Sequence, residues 1–146
     1  MFHDMGTLPS GLIPEIEAAT IAYLARALPE GEYRGWLASI PGDPSEIVGG
    51  AGVQLRRVLP FPRGQDDSAG VAFGRQAIVL NVYTAPAYRR RGVARALIER
   101  VIAWGREERL DSLVLHAAPD GRALYQELGF VITNEMRFVD RLIPAA

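Results

Sequence analysis

The amino-acid sequence predicts an α/β domain, a mixed β-sheet with helices on both of its faces, and three observations carry that expectation. The apolar period changes along the chain in the order helix, two strands, strand, helix, strand, helix, two strands, which is the pattern of a sheet covered by helices. The run Ala77 to Thr84 is apolar and β-branched, as suits a strand buried on both faces. A long helix follows it, from Gly92 to about Glu108, with Val93, Ala94, Leu97, Ile98, Val101, Ile102 and Trp104 on one broad stripe.

The other elements fall into place around these two. From Pro14 to Leu28 the residues Ile16, Ala19, Tyr23, Leu24 and Ala27 recur at helical spacing, with Pro14 suited to a first turn and Pro29-Glu30-Gly31 as the stop. Arg34 to Ile40 and Ile47 to Leu59 read as two strands separated by the turn residues Pro41, Gly42, Asp43 and Pro44. A Pro- and Gly-rich loop is expected from Pro60 to about Gln76. Pro86 ends the buried strand, and Ser112 to His116 is a further short strand. Asp120 to Leu128 reads as a short helix capped by Asp120 and ended by Gly129. Phe130 to Thr133 and Glu135 to Leu142 read as a closing hairpin. No linker or repeat divides the 146 residues, so residues 1–146 are expected to form a single domain, with 1–12 irregular or incomplete.

Composition removes much chemistry. The net charge is −1, from 16 basic and 17 acidic residues, whereas a dedicated nucleic-acid binder carries a basic excess. Every basic residue other than the two histidines is Arg; the absence of Lys excludes a Walker A lysine and a Schiff base. The absence of Cys excludes disulfides, zinc–thiolate sites and a cysteine nucleophile. His3 and His116 do not suggest a metal site, so no metal is expected. No apolar run approaches a membrane span and the first residues lack the order of a signal peptide, so a cytoplasmic protein without membrane partners is expected.

The sharpest motif is Tyr88-Arg89-Arg90-Arg91-Gly92-Val93-Ala94, between the buried strand and the long helix. The first turn of a helix has amides without internal acceptors, and its dipole favours an anion. Gly92 has no side chain and Ala94 only a methyl, so successive amides can close around a diphosphate while the arginines add positive charge. The competing reading is a glycine-started helix beside a solvated Arg cluster.

At these residues the chain resembles the GCN5-related N-acetyltransferase (GNAT) superfamily. Arg89, Gly92 and Ala94 fit its Arg/Gln-x-x-Gly-x-Gly/Ala motif, and Val82-Tyr83-Thr84-Ala85-Pro86-Ala87-Tyr88 is similar to the strand end that precedes it. Leu124-Tyr125-Gln126-Glu127-Leu128-Gly129-Phe130 is similar to the family's second signature, and the resemblance extends from about residue 34 to residue 140. It implies acetyl-CoA as the acyl donor. The amides of Arg90, Arg91, Gly92, Val93, Ala94 and Arg95, with Arg89, would hold the pyrophosphate. The backbone of Val82, Tyr83 and Thr84 would bind the pantetheine arm and polarise the thioester carbonyl where two strands splay apart. Tyr125 takes the position of the general acid that protonates the departing thiolate. The general base is left open between His116 and Glu135, because Asn81 cannot serve as one.

Without Cys, direct attack of a primary amine in a ternary complex is expected rather than an acyl-enzyme. The acceptor, a small molecule or a peptide, stays open. The Pro60–Gln76 loop with Asp66 and Asp67 is expected to border its site. Two departures from the family stand out. The Asn that usually precedes the second-signature helix has no counterpart in Ala117-Ala118-Pro119-Asp120-Gly121, and Met1 to Met5 resembles the end of the family's first helix, so either the N-terminal edge strand is expected to be missing or the true start lies upstream of this sequence. The bare sheet edge predicts a homodimer. Two other function classes compete: a non-catalytic acyl-CoA-binding regulatory domain, which Tyr125 argues against, and an Arg-cluster nucleic-acid binder, which the net charge argues against.

Overall fold

In the computed structural model, which describes residues 9–63 and 70–133, α1 (Ile13–Ala27) follows a 3-10 turn at Ser10–Leu12 and carries a proline in its first turn. Strands β1 (Tyr33–Ile40), β2 (Asp43–Arg57), β5 (Arg75–Thr84) and β6 (Ser112–Leu115) form a sheet in the order β1-β2-β5-β6. The first three run antiparallel and β6 is parallel to β5, so the sheet is mixed, as expected. The parallel step requires a crossover, and α2 (Val93–Glu107) supplies it. The chain divides into two compact units, residues 1–116 and 117–146.

In the first unit the two helices cover opposite faces of the sheet. Trp36 of β1 meets Trp104 of α2 edge-on at 5.4 Å, and Val53, Ile98 and Val101 are fully buried. Tyr33, which points to the other face, meets Tyr23 of α1 edge-on at 6.2 Å. Gln54 on that face donates from Nε2 to the Tyr23 hydroxyl at 3.1 Å. Gly49 of β2 lets the start of α2 sit against the sheet, because a Cβ there would lie 2.8 Å from the Tyr83 carbonyl oxygen and 2.9 Å from Val93 Cγ1. None of the described helices is long and apolar enough to cross a membrane.

Several expectations are corrected. The segment Pro60–Gln76 is not one open loop: β3 (Phe61–Arg63) and β4 (Gly70–Ala72) pair antiparallel as a small second sheet. Their Pro and Gly read as strand breakers, yet a short two-stranded ribbon has edges on which both are tolerated. Tertiary contacts pin this region, since Asp111 pairs with Arg63 and accepts from the Arg75 amide at 2.8 Å. Asp43 and Pro44, expected in a turn, lie in β2, where Asp43 Oδ1 accepts from the Ser45 amide at 3.0 Å. Asp66 and Asp67 fall outside the described residues, as do Met1 to Met5. β1 is the outer strand of the sheet among the described residues.

In the second unit a 3-10 turn at Pro119–Gly121 leads into α3 (Arg122–Glu127). The expected cap is corrected: the N-cap is Gly121, without a side-chain cap, and Asp120 sits inside the 3-10 turn. The expected stop holds. Gly129 has φ +95°, and the Phe130 amide reaches back to the Tyr125 carbonyl at 2.9 Å, which closes the helix end. Phe130 to Thr133 is not assigned as a strand. A strand needs its partner, and Glu135 to Leu142 lie outside the described residues.

Candidate active site

β5 is not a regular strand. Its pairing with β2 slips between Gly50↔Tyr83 and Gly52↔Leu80, so Asn81 and Val82 together oppose Ala51, and Asn81 has φ +54°. This is a β-bulge with its left-handed residue at an asparagine, the non-glycine type that visits that region most readily. The bulge reverses the alternation. Ala77 and Val79 are buried on the α2 side before it, whereas Thr84 pairs after it with Gly49, whose missing Cβ points at Val93 and Leu97 of α2. Four residues at the strand end are thereby re-aimed.

The same end of β5 outruns its other neighbour. β6 pairs with β5 only from Gln76↔Ser112 to Val79↔Leu115, so Val82, Tyr83 and Thr84 lie beyond that pairing. Backbone there has no partner on the β6 side, because β6 ends at Leu115, opposite Val79. The Thr84 hydroxyl oxygen is buried and has no hydrogen-bond partner among the described residues.

The turn that follows is braced from three directions. Pro86–Tyr88 forms a 3-10 turn, and the Ala85 amide donates to the Val48 carbonyl at 2.9 Å. The Tyr88 hydroxyl donates to Glu46 Oε1 at 2.8 Å, a bond that raises the phenol above its ordinary pKa. The Arg91 guanidinium lies over the Tyr88 ring at 5.4 Å, and Arg89 Nε donates to the Thr84 carbonyl at 3.2 Å. Arg89 therefore ties the turn to the strand end, a role its motif position did not suggest.

Arg90 and Gly92 are both left-handed, with φ +61° and +82°. Backbone that alternates in this way turns successive amides toward one concavity, which binds anions. Gly92 is the N-cap of α2, and the Ala96 amide donates to its carbonyl at 2.9 Å. The amides of Val93 and Ala94 lie ahead of the helix's own acceptors. A Cβ on Gly92 would meet nothing within 4 Å. The glycine is therefore required by φ rather than by crowding, a reason the sequence pattern alone did not separate. Arg90 and Arg91 are exposed. A cavity of about 420 Å3 reaches this turn at Arg91, Gly92 and Val93 and continues along Ala96, Arg100 and Trp36. Left-handed pair, first-turn amides and arginines together fit a diphosphate, and the re-aimed strand end fits an extended arm with a carbonyl.

Tyr125 belongs to the second unit. There it is half-buried, its ring edge-on to Phe130 at 6.0 Å, and a Cβ on Gly121 would lie 2.9 Å from its Cε2. Burial raises its phenol above the ordinary pKa, so the proton is held throughout the neutral range. His116 follows β6 directly and is exposed. Glu135 lies outside the described residues. The bulge at Asn81 was missed in the sequence. Its signal was an asparagine inside an otherwise apolar, β-branched run, where Asn is depleted.

Comparison with known proteins places the chain in a family. Residues 10–130 match the family model described as "Acetyltransferase (GNAT) family". Among solved structures, a GCN5-related N-acetyltransferase from Ralstonia eutropha superposes with a TM-score of 0.76 at 24% identity, over 95% of this chain and 85% of that one. A predicted acetyltransferase from Clostridium acetobutylicum, solved with acetyl-CoA, gives 0.74 at 23% identity, over 95% and 82%. The aminoglycoside 6'-N-acetyltransferase AAC(6')-IG from Acinetobacter haemolyticus gives 0.62 at 22% identity, over 88% and 83%. Among curated proteins there is no significant match.

Proposed function

The chain belongs to the acetyltransferase (GNAT) family and is an N-acetyltransferase, and on that premise we propose that it moves the acetyl group of acetyl-CoA to a primary amine by direct attack in a ternary complex. The observation that carries this reading is the joined geometry of β5 and α2, a bulged strand end running straight into a left-handed, arginine-flanked helix start. Arg89, Arg90, Arg91, Gly92, Val93, Ala94 and Arg95 hold the pyrophosphate. Val82, Tyr83 and Thr84 receive the pantetheine arm. The family match crosses from the first unit into the second, which supports reading residues 1–146 as one catalytic domain.

The chemistry follows from these groups. A base takes one proton from the ammonium form of the acceptor, whose pKa is near ~10.4 for a lysine-like amine. The neutral nitrogen attacks the thioester carbon, and the carbonyl oxygen gains charge beside backbone N–H groups of the bulged strand. The tetrahedral adduct collapses with cleavage of the C–S bond. The thiolate, with a pKa near ~8.5 for an ordinary thiol, takes its proton from the Tyr125 hydroxyl, which solvent then restores. The product nitrogen loses its second proton to become the amide. His116 and Glu135 both stay in place as candidates for the base. The acceptor is a small molecule or peptide bearing a primary amine. The chain works without a metal, bare of membrane or nucleic-acid partners, in the cytoplasm. The outer position of β1 among the described residues supports a homodimer.

Calorimetric titration of acetyl-CoA into wild type, Gly92→Gln and Gly92→Glu tests the cradle. Both substitutions strain the left-handed turn equally, so the difference between them isolates charge. Gly92→Glu is expected to bind far more weakly than Gly92→Gln. Equal affinities for these two would move the phosphate elsewhere. Thiol release over a panel of amines, including an aminoglycoside, a polyamine, amino acids and peptides, then identifies the acceptor. Binding without turnover on any of them would favour a regulatory domain instead.

A further inference from the structure

The bulge in β5 costs free energy, and something outside β5 holds it. A non-glycine residue in the left-handed region is disfavoured by about 1–2 kcal/mol, a strain that persists only where the surrounding structure holds it. Asn81 has a contact two strands away: its Nδ2 lies 3.5 Å from the hydroxyl of Tyr33 on β1. Between them runs β2, and Tyr33 reaches across it only because residue 52 is glycine. A Cβ on Gly52 would fall 1.6 Å from the Tyr33 hydroxyl oxygen and 2.3 Å from Cζ. Gly52 is also the residue at which the β2–β5 register resumes after the bulge.

The tyrosine ring is itself seated. Gly35, next on the same face of β1, leaves room beside it, with a Cβ there 3.6 Å from Tyr33 Cε1. The Tyr23 ring of α1 stands edge-on to it at 85°. Tyr23 is held in turn, accepting from Gln54 at 3.1 Å and lying 3.4 Å from Glu32, whose carboxylate the Arg26 guanidinium holds below its ordinary pKa. A row of contacts thus leads from α1 through Tyr23 and Tyr33, over Gly52, to the one left-handed residue of β5.

We propose that Tyr33 is a positioning residue for acetyl transfer: lying over Gly52, its hydroxyl holds the Asn81 side chain and so keeps the bulge that aims the Val82–Thr84 backbone at the thioester carbonyl. This rests on the acetyl-CoA reading of the strand end given above. Tyr33 touches no reacting atom in this scheme. It acts through Asn81.

The test is the carbonyl stretch of acetyl-CoA labelled with 13C at the acetyl carbonyl, recorded by difference infrared spectroscopy on the bound complex. It needs no acceptor. Polarisation by backbone N–H groups lowers that frequency in the wild type. Tyr33→Phe keeps the ring over Gly52 and removes the hydroxyl, so it is expected to lose most of the downshift with little change in melting temperature. Its preference for acetyl-CoA over CoA is expected to fall about 2- to 10-fold, the range for one net hydrogen bond. Asn81→Gly adopts the left-handed conformation without a side-chain contact, so it is expected to keep the downshift, and to keep it when combined with Tyr33→Phe. A full downshift in Tyr33→Phe overturns the proposal, as does a double variant as impaired as Tyr33→Phe alone. Failure of the wild type to bind acetyl-CoA, or binding with an unshifted carbonyl, overturns the acetyl-CoA reading itself and is told apart by that.

Discussion

Replacing Gly92 with alanine isolates the backbone from every other property of the cradle. The new methyl would sit in open space, so crowding contributes nothing. What remains is φ +82°, which disfavours an L residue by about 1–2 kcal/mol. The protein has two ways to bear that strain. If the turn keeps its shape, the folded state carries the cost and the melting temperature falls by about 3–8 °C for a chain of this length. If the turn relaxes, stability is spared and acetyl-CoA binds about 5- to 30-fold more weakly, since the amides no longer converge. The two losses share one quantity, so calorimetric affinity and thermal unfolding measured on the same preparation should together return it. Gly92→Asn, whose side chain tolerates the left-handed region, should recover most of the loss. Unchanged affinity together with unchanged melting would refute the conformational role. So would an asparagine variant as damaged as the alanine one, because bulk rather than φ would then be the cause.

Tyr125→Phe keeps the ring against Phe130 and deletes the proton donor. Single-turnover rates on an amine found by the panel should fall about 10²–10⁴-fold with acetyl-CoA affinity unchanged; full turnover would return Tyr125 to a packing role. Because burial raises its pKa, the tyrosine stays protonated beyond the ordinary value of ~10, so its acid function is present at neutral pH and is lost only as pH rises through that raised value. The pH–rate profile should accordingly show an alkaline limb above ~10 that the phenylalanine variant lacks. Gly74→Ala sets a Cβ 1.8 Å from the Val58 carbonyl oxygen at φ +78°, against backbone that cannot swing away. A loss of about 3 kcal/mol or more in urea unfolding is expected, and a near-neutral result would mean that the turn joining β4 to β5 is not built this way. Ile98→Ala empties a fully buried site on α2 and should cost about 2–5 kcal/mol by the same measurement.

The elements legible in the sequence are those written in local patterns. The stripe on α2, the apolar run of β5 and the glycine stop at Gly129 each depend on residues within a few positions of one another, and each stands within one or two residues of where the pattern places it. The cradle was legible for the same reason, since Arg90, Gly92 and the first turn of α2 are contiguous in the chain. Where the contact is distant, the pattern is silent or misleading. The Pro and Gly of 60–76 read as loop because the ion pair of Arg63 with Asp111 spans 48 positions. Asp120 looked like a cap because nothing local shows that a 3-10 turn precedes α3. The bulge depends on Tyr33 reaching Asn81 across a third strand, through a glycine whose need is visible only when the ring lies on it. Period and small residues at a helix start therefore determined the class of fold and the place proposed for the phosphate. The aim of the strand end was decided by tertiary structure, because a left-handed residue in a strand persists only where neighbours far along the chain hold it there.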